Sequence, residues 1–310
     1  MSRPIRFSIV VTAPDGLAGC PFIDAWRPEL AAHAAELIVA DATDGEDDGT
    51  GLPIRHRRFP GASLQQLMAH GMMEARGEWV LITEDHCRPL GDVLTAYERT
   101  IAAAPHARLI AGQVDNLTSL SPWSWVIFAI GFSEHWRGAR RPARSGSNAN
   151  ILIRRDAILE SELGVRGGLL YGALRRLTAE GRLVGCRDAA VDHVVELDRH
   201  TVTDFEYRVT RNSIEEYRFL GNARRGLGAE TWAAIRQFMS IGLGVPIRTW
   251  RNIRDAPFAS PSLGLRVLYV CAAVAIRLGR DDFLRAVRRD GGGAERTFPG
   301  GIERASASAD

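Results

Sequence analysis

The chain has 310 residues, of which 45% are hydrophobic and 25% charged, so it is long enough to bury a globular core. Its net charge of +2 is too small to indicate nucleic acid as a partner, and all of its Lys and Arg positions are arginine. The four cysteines lie far apart without a CxxC pair, which speaks against a zinc knuckle or a disulfide framework. No apolar leader precedes the first strand pattern, so we expect a cytoplasmic protein.

The first hundred residues alternate short apolar runs with helical patterns. The apolar runs predict strands at 7–11, 36–40, 54–59, 79–83 and 108–114. The helical patterns lie at 21–35, from Ser63 to Gly77, and from Pro89 or Leu90 onward. Ser63 and Gln66 have the spacing of a capping box. This alternation predicts an α/β fold, with a Rossmann-like, mostly parallel sheet and helices on both faces.

From about residue 115 the alternation weakens and helical patterns dominate. Further strands are predicted at 150–153 and 183–191. Further helices are predicted at 123–132, 169–180, 204–225, 229–243, 246–254 and 262–278. We therefore expect a sheet domain at 1–198, a helical region at 199–290, and a disordered tail at 291–310, where large apolar groups are few.

Polar side chains stand where three of the predicted strands end. Asp41 follows the second strand, Glu84-Asp85-His86 follows the fourth, and His193 follows the last. Ligands of such sheets bind beyond the carboxyl ends of the strands. Carboxylate and imidazole groups there can hold a divalent cation, which in turn neutralises a diphosphate. The alternative is a solvated acidic turn and a core histidine.

The order of these segments resembles family 2 glycosyltransferases. Residues 75–86 are similar to the part of that family where a helix ends in Ala-x-Gly-Glu and a strand leads to an Asp-x-Asp motif. Residues 8–12 and 36–41 resemble its first two strands, and residues 148–155 resemble a later segment near the acceptor. The resemblance spans about residues 5–195. It implies the A-type glycosyltransferase fold, a nucleoside diphosphate sugar of the UDP or GDP type as donor, and a carbohydrate or lipid-linked acceptor.

The same resemblance implies roles for individual residues. Donor contacts fall on Thr12, Pro14, Asp41, Glu84 and Asp85. The implied metal ligands are Asp85, His86 and His193, with Mn²⁺ or Mg²⁺ as cofactor. Because His86 stands where the family has its last carboxylate, the donor set suits Mn²⁺ better than Mg²⁺.

The catalytic base of the family has no counterpart at its usual position in this chain. The family carries a carboxylate near the start of the helix predicted here at 169–180, whereas this chain has no Asp or Glu between Glu162 and Glu180. Glu134 is then the best candidate for a base. Two alternatives stay open. One is a retaining reaction that needs no protein base, and the other is a protein that binds its ligand without turnover. A nucleotidyltransferase is disfavoured, because residues 12–20 lack a glycine-rich loop with a basic residue.

The C-terminal helices combine arginines with aromatic residues. From residue 204 to residue 255 there are nine arginines and six acids. Such a surface is suited to peripheral contact with an anionic membrane, which would place the protein at its inner face. Packing as a cap on the sheet domain and formation of a homodimer are the alternatives.

Overall fold

The computed structural model describes residues 4–44, 54–139, 146–159, 169–220, 236 and 238–290. The strands are β1 (Phe7–Ala13), β2 (Ala35–Asp41), β3 (Ile54–Arg58), β4 (Trp79–Glu84), β5 (Cys87–Leu90), β6 (Leu109–Asp115), β7 (Ile151–Arg154) and β8 (Leu183–His193). The α-helices are α1 (Arg27–Ala32), α2 (Leu64–Glu74), α3 (Val93–Ala103), α4 (Ser124–Phe132), α5 (Arg155–Leu159), α6 (Leu169–Ala179), α7 (Val202–Leu220), α8 (Val245–Ile253) and α9 (Pro261–Asp290). Two 3₁₀ turns, Leu17–Gly19 and Ile23–Trp26, precede α1, and a π-helical turn, Ser240–Gly244, leads into α8.

The described strands form one eight-stranded sheet in the order β3-β2-β1-β4-β7-β6-β8-β5. β1 pairs in parallel with β2 and β4, β2 with β3, and β6 with β8. β7 runs antiparallel to both β4 and β6, and β5 runs antiparallel to β8. All strands except β5 and β7 therefore end at the same edge of the sheet. The predicted α/β fold class, with helices around the sheet and helices after it, is confirmed.

The central strands are apolar almost throughout because both of their faces are covered. In β1, Phe7, Ile9 and Val11 enter one buried cluster, which extends beneath α3 and α4. Val10 points to the opposite face and packs in a second cluster with Met68 of α2. These two layers hold the strand ends in fixed positions relative to each other.

Helix α2 starts as its capping signal predicts. The backbone N–H of Ser63 donates to Gln66 Oε1 at 2.8 Å, and the backbone N–H of Gln66 donates to Ser63 Oγ at 3.3 Å. After the helix, Gly77 lies so close to β1 that a Cβ there would be 2.6 Å from Ser8 N. Only glycine allows this close approach between the chain entering β4 and the neighbouring strand.

Two predicted helices are wrong in extent or type. The segment predicted as one helix at 21–35 contains the turn Ile23–Trp26 and the short α1, where Pro28 takes a first-turn position. The helix predicted from Pro89 or Leu90 is instead β5, followed by α3 from Val93. A proline is tolerated in β5 because this strand lies at the edge of the sheet and pairs only with β8.

The C-terminal helices pack on one side of the sheet domain. Residues of α4, α7, α8 and α9 share a third buried cluster, which includes Val126, Ile253, Val267 and Val274. The predicted helix at 229–243 lies largely outside the described residues, as do the end of the helix predicted at 204–225 and the tail at 291–310.

Candidate metal and donor site

The edge where six strands end gathers most of the residues that the sequence singles out. Thr12 lies near the end of β1, Asp41 ends β2, Glu84 ends β4 and His193 ends β8. Register pairing places Thr12 beside Glu84, and Ala13 beside Asp41. The β5–β8 pair closes this group from the other side, since it sets Cys87 opposite His193. Residues far apart in the chain thus meet at one edge.

Three atoms that are able to bind a metal converge at the end of β4. His86 Nε2 lies 3.1 Å from Glu84 Oε2, and His193 Nε2 lies 3.3 Å from the same oxygen. The two Nε2 atoms are 2.8 Å apart, and the rings meet edge to face. Metal–ligand distances of about 2.0–2.2 Å separate neighbouring ligand atoms by about 2.8–3.5 Å. The three atoms therefore have the spacing of one face of a metal coordination polyhedron.

Asp85 contacts His86 from the other side of its ring. Asp85 Oδ1 lies 2.6 Å from His86 Nδ1, so the carboxylate accepts the Nδ1 proton. The backbone N–H of Asp85 donates to Thr12 O at 3.2 Å, which ties this residue to the end of β1. A carboxylate on the far nitrogen is the usual partner of a metal-binding histidine, because it fixes the tautomer and orients the ring. This oxygen of Asp85 is thus engaged with His86, and the role of Asp85 as a metal ligand stays a prediction.

The charges in this cluster are strongly coupled. Burial alone would raise the pKa of Glu84, but hydrogen bonds from His193 and His86 outweigh burial and hold that pKa well below its usual range. Burial alone would lower the pKa of His86, but Asp85 and Glu84 raise it to about 10. Burial and the positive charge of His86 lower the pKa of His193. The cluster therefore stabilises one positive charge, which a proton or a cation can supply.

Two further side chains complete the surroundings of Glu84, and the sequence analysis missed both. Asn148 Nδ2 donates to Glu84 Oε1 at 2.8 Å, so the carboxylate is held from both of its oxygens. The Cys87 thiol lies with Glu84 and His86 in a group whose ligand atoms are within 4.8 Å of one another. Burial raises the pKa of Cys87 well above its usual value, which favours the neutral thiol. Asn148 belongs to the segment 148–155, and no local sequence pattern pairs it with Glu84.

Asp41 is fully buried, and its carboxylate already has several donors. Oδ1 accepts from the backbone N–H and the hydroxyl of Thr43, both at 2.6 Å, and Oδ2 accepts from the backbone N–H of Leu17 at 3.1 Å. His56 Nε2 lies 2.7 Å from Oδ2. Burial opposes ionisation, but these hydrogen bonds outweigh it and lower the pKa of Asp41. Asp41 thus joins the loops after β1 and β2, and Pro14 is exposed in the turn that it supports.

Thr12 is fully buried, and its hydroxyl has no hydrogen-bond partner among the described residues. A buried hydroxyl without a partner is costly unless a water or a ligand satisfies it. Thr12 lies next to Glu84 in the strand pairing, so it is placed close to the three converging ligand atoms.

Glu134 lies on the side of the site formed by the end of α4. Phe132, two residues earlier, packs its ring on His193 with the centroids 4.4 Å apart. The Glu134 carboxylate is partly exposed, and its nearest described cation is Arg248, with Nε and Oε1 4.0 Å apart. Glu134 is thus a partly exposed carboxylate two residues after a side chain that packs on His193.

A second carboxylate, Asp115, ends β6 at the same edge, and the sequence analysis did not select it. Asp115 is buried, and Arg137 Nη2 lies 2.8 Å from its Oδ2. Burial raises its pKa, an effect that Arg137 partly offsets. The next residue, Asn116, is buried with no hydrogen-bond partner for its side-chain amide among the described residues. Asp115 and Asn116 both lie at a strand end, so the rule that polar residues at strand ends mark the ligand-binding edge would have identified them from the sequence.

Known structures resemble this chain at low sequence identity. No protein-family model matches the chain, and no curated protein matches it in sequence. Among solved structures, the chain is similar to GalNAc-T7 with UDP, GalNAc and Mn²⁺, at 12% identity and a TM-score of 0.46, over 64% of this chain and 45% of that one. It thus spans less than half of the GalNAc-T7 chain.

Two further similarities cover more of both chains. S. aureus TarS 1-349 is 13% identical with a TM-score of 0.46, over 93% of this chain and 92% of that one. The mannosyltransferase PcManGT from Pyrobaculum calidifontis, in complex with GDP-Man and Mn²⁺, is 14% identical with a TM-score of 0.39, over 95% and 77%. Solved glycosyltransferases are thus among the structures that this chain resembles, as the sequence predicts. At these identities and TM-scores, the function has to be argued from the chain's own site.

Proposed function

We propose that the protein is a metal-assisted glycosyltransferase, which moves a sugar from a nucleoside diphosphate sugar to an acceptor hydroxyl. The observation that carries this proposal is the convergence of Glu84, His86 and His193 at the ligand-binding edge of the sheet. Two imidazoles and one carboxylate suit Mn²⁺ better than Mg²⁺. The sequence resemblance to family 2 glycosyltransferases supports the same conclusion independently.

The side chains around the proposed cation have separate tasks. Glu84 and the Nε2 atoms of His86 and His193 would hold it, Asp85 would orient His86, and Asn148 would fix Glu84. A cation held there would supply positive charge to neutralise the departing diphosphate. This position is rigid, because both strands that carry it belong to the core sheet. Glu84 ends β4, His86 lies in the turn that follows, and His193 ends β8.

The nucleotide is proposed to lie along the ends of β1 and β2. Thr12 offers a buried hydroxyl beside Glu84, and Pro14 lines the exposed turn. Asp41 is too fully engaged in its own hydrogen bonds to offer a free carboxylate oxygen easily, so its proposed role is to hold the base-binding loops. The donor nucleotide is of the UDP or GDP type.

The acceptor is proposed to enter at the end of α4, where Glu134 would take the proton from its hydroxyl. Asp115 is the competing candidate, because its carboxylate lies at the same edge and burial raises its pKa. Measuring transfer by Glu134→Gln and Asp115→Asn separates the two. Loss of turnover with unchanged nucleotide affinity identifies the base, and full turnover in both variants excludes a base at either position.

A protein that binds nucleotide-sugar without turnover is the second candidate. It is favoured by the absence of any Asp or Glu from residue 163 to residue 179. Calorimetry with UDP and GDP, with and without Mn²⁺, tests binding, and release of sugar from UDP- or GDP-sugars tests turnover. Binding without turnover would support this second candidate.

The calorimetric titration of nucleotide with and without Mn²⁺ also tests the metal site itself. His86→Ala should abolish the dependence of nucleotide binding on Mn²⁺, because it removes one of the three converging atoms. His106→Ala is the matched control, since His106 is exposed near the start of β6, at the opposite edge of the sheet. Equal Mn²⁺ dependence in both variants would refute the proposal.

A further inference from the structure

Two leucines project from a firmly anchored loop beside the candidate site. Leu120 is 92% exposed and Leu117 is 64% exposed, although the loop that carries them is tied down by hydrogen bonds. Asp192 accepts from the backbone N–H of Leu117 at 2.7 Å, and Glu196 accepts from that of Leu120 at 2.9 Å. An ordered loop that holds large apolar side chains in water points to a surface that covers them. Asp192 directly precedes His193, so this surface borders the site.

Helices α8 and α9 carry a second set of exposed apolar side chains. On α9, Leu265, Leu268 and Tyr269 lie on one stripe of the helix, at spacings of three and four residues. On the π-helical turn and α8, the corresponding stripe carries Leu243, Ile247 and Trp250. The two stripes lie side by side, because a Cβ at Gly264 of α9 would be 3.3 Å from the Trp250 ring.

The leucine loop and the helices form one continuous face. Trp123, which follows the loop, lies edge to face against Tyr269, with ring centroids 6.3 Å apart. The Arg266 guanidinium covers the Trp123 ring at 5.4 Å. We call the loop leucines together with the two helix stripes the docking face.

Basic side chains outnumber acidic ones around the helix stripes of the docking face, whereas Glu196 lies beside Leu120 in the loop. Residues 236–280 contain seven arginines and a single acid, Asp255. Arg251 lies on the same exposed stripe of α8 as Ile247 and Trp250, and Arg254 follows directly after the helix. Apolar side chains flanked by arginines on one surface match the interface of a bilayer that contains anionic lipids. A second copy of this chain would bring the same positive charges together, which disfavours self-association through this face.

Helix α9 is the described helix that is long and apolar enough to cross a membrane, over Pro261–Asp281. Its inner side, however, packs Val267, Val270 and Val274 against the sheet domain, opposite to the exposed stripe. Only the outer side of this helix is available in the folded protein, so the geometry suits lying on a membrane.

We infer that the docking face binds the surface of an anionic phospholipid bilayer, with Leu117 and Leu120 inserted among the lipids. Since Asp192 joins the leucine loop to His193, docking brings the edge of the sheet with the candidate site to the bilayer surface. The identity of the acceptor rests on the proposed function: with the site at the bilayer, the acceptor is a hydroxyl on a lipid-linked molecule.

Vesicle binding tests this inference on the full chain. We expect the protein to sediment with vesicles of equimolar phosphatidylglycerol and phosphatidylcholine, and much less with phosphatidylcholine alone. Leu117→Gln combined with Leu120→Gln should lower the partition coefficient by about tenfold or more, because two leucines lose their apolar environment. Met73→Gln is the matched control, since Met73 is 51% exposed on α2, away from this face.

A fluorescent label gives a readout that does not depend on the double variant folding. The described cysteines, Cys20, Cys87, Cys186 and Cys271, are all buried, so a dye directed at Leu120→Cys labels that site selectively. Its emission should shift to the blue on the anionic vesicles, and that of labelled Met73→Cys should not.

Several results would overturn the inference. These are equal binding to both vesicle types, wild-type partition by the Leu117→Gln/Leu120→Gln variant, or no blue shift at position 120. A dimer in light scattering that the same substitutions dissociate would assign the face to a second copy. Vesicle binding that appears only after residues 291–310 are removed would assign it to the chain's own tail. None of these readouts measures transfer, so a failed vesicle test leaves the proposed function untouched.

Discussion

Replacing Asp85 by Asn probes how the candidate metal site is built. The carboxylate accepts the Nδ1 proton of His86 over 2.6 Å, which leaves Nε2 of the same ring facing Glu84 and His193. The amide keeps the shape and one acceptor oxygen but loses the negative charge. Partners of this kind typically change metal affinity by 10–100-fold, which corresponds to about 1.4–2.7 kcal/mol.

We therefore expect Asp85→Asn to weaken Mn²⁺ binding by about 10–100-fold. The assay is a titration of Mn²⁺ followed by the electron paramagnetic resonance signal of the free ion. Asp92→Asn is the control, because Asp92 is an exposed carboxylate before α3 and its side chain does not cap that helix. This control should bind Mn²⁺ like the wild type.

Two results would refute this reasoning, each in a different way. Unchanged affinity in Asp85→Asn would mean that the hydrogen bond does not orient His86. A loss as large as that of His193→Ala would mean that Asp85 is itself a ligand, as the sequence predicted.

Three further substitutions test other parts of the structure. Asn148→Ala should weaken Mn²⁺ binding by roughly tenfold or more in the same titration, because Glu84 loses a charge-assisted hydrogen bond; wild-type affinity would show that this bond does not matter. Burial lowers the pKa of His135 to about 4, so the folded protein loses stability as the pH falls from about 7 towards 4, where the unfolded chain takes up a proton. In urea denaturation, His135→Gln should lose less stability than the wild type between about pH 7.5 and pH 5, by about 2 kcal/mol, and parallel losses would refute this. Gly77→Ala should cost about 1–3 kcal/mol in thermal unfolding, since its Cβ would lie 2.6 Å from a backbone nitrogen of β1. Gly131→Ala, with nothing within 4 Å, should not be destabilised.

Local patterns predicted the parts of the fold that depend on local physics. The capping box at Ser63 and Gln66 forms as its spacing indicates, because both hydrogen bonds lie within one helical turn. The apolar runs became strands of the buried sheet, because the apolar character of a run is likewise a local property of the sequence. Strand β5 could not be predicted this way, because its pairing with β8 is about a hundred residues distant in sequence.

The candidate site was predicted in outline but not in detail. The rule of strand ends selected Asp41, Glu84 and His193, which the sheet places at one edge. The sequence does not specify which oxygen faces which nitrogen, so the orienting contact of Asp85 and the bond from Asn148 to Glu84 emerge only in three dimensions. Those contacts depend on side-chain directions and on loops that meet across the sheet.

Glu84, His86 and His193 are proposed to hold a divalent cation together. Electron spin-echo envelope modulation of the Mn²⁺ complex measures this directly, because each coordinating imidazole nitrogen contributes a ¹⁴N coupling. We expect couplings from two imidazoles in the wild type, from one in His193→Ala, and unchanged couplings in His106→Ala. A wild-type complex without imidazole couplings, or one that His193→Ala leaves unaltered, would contradict the proposal.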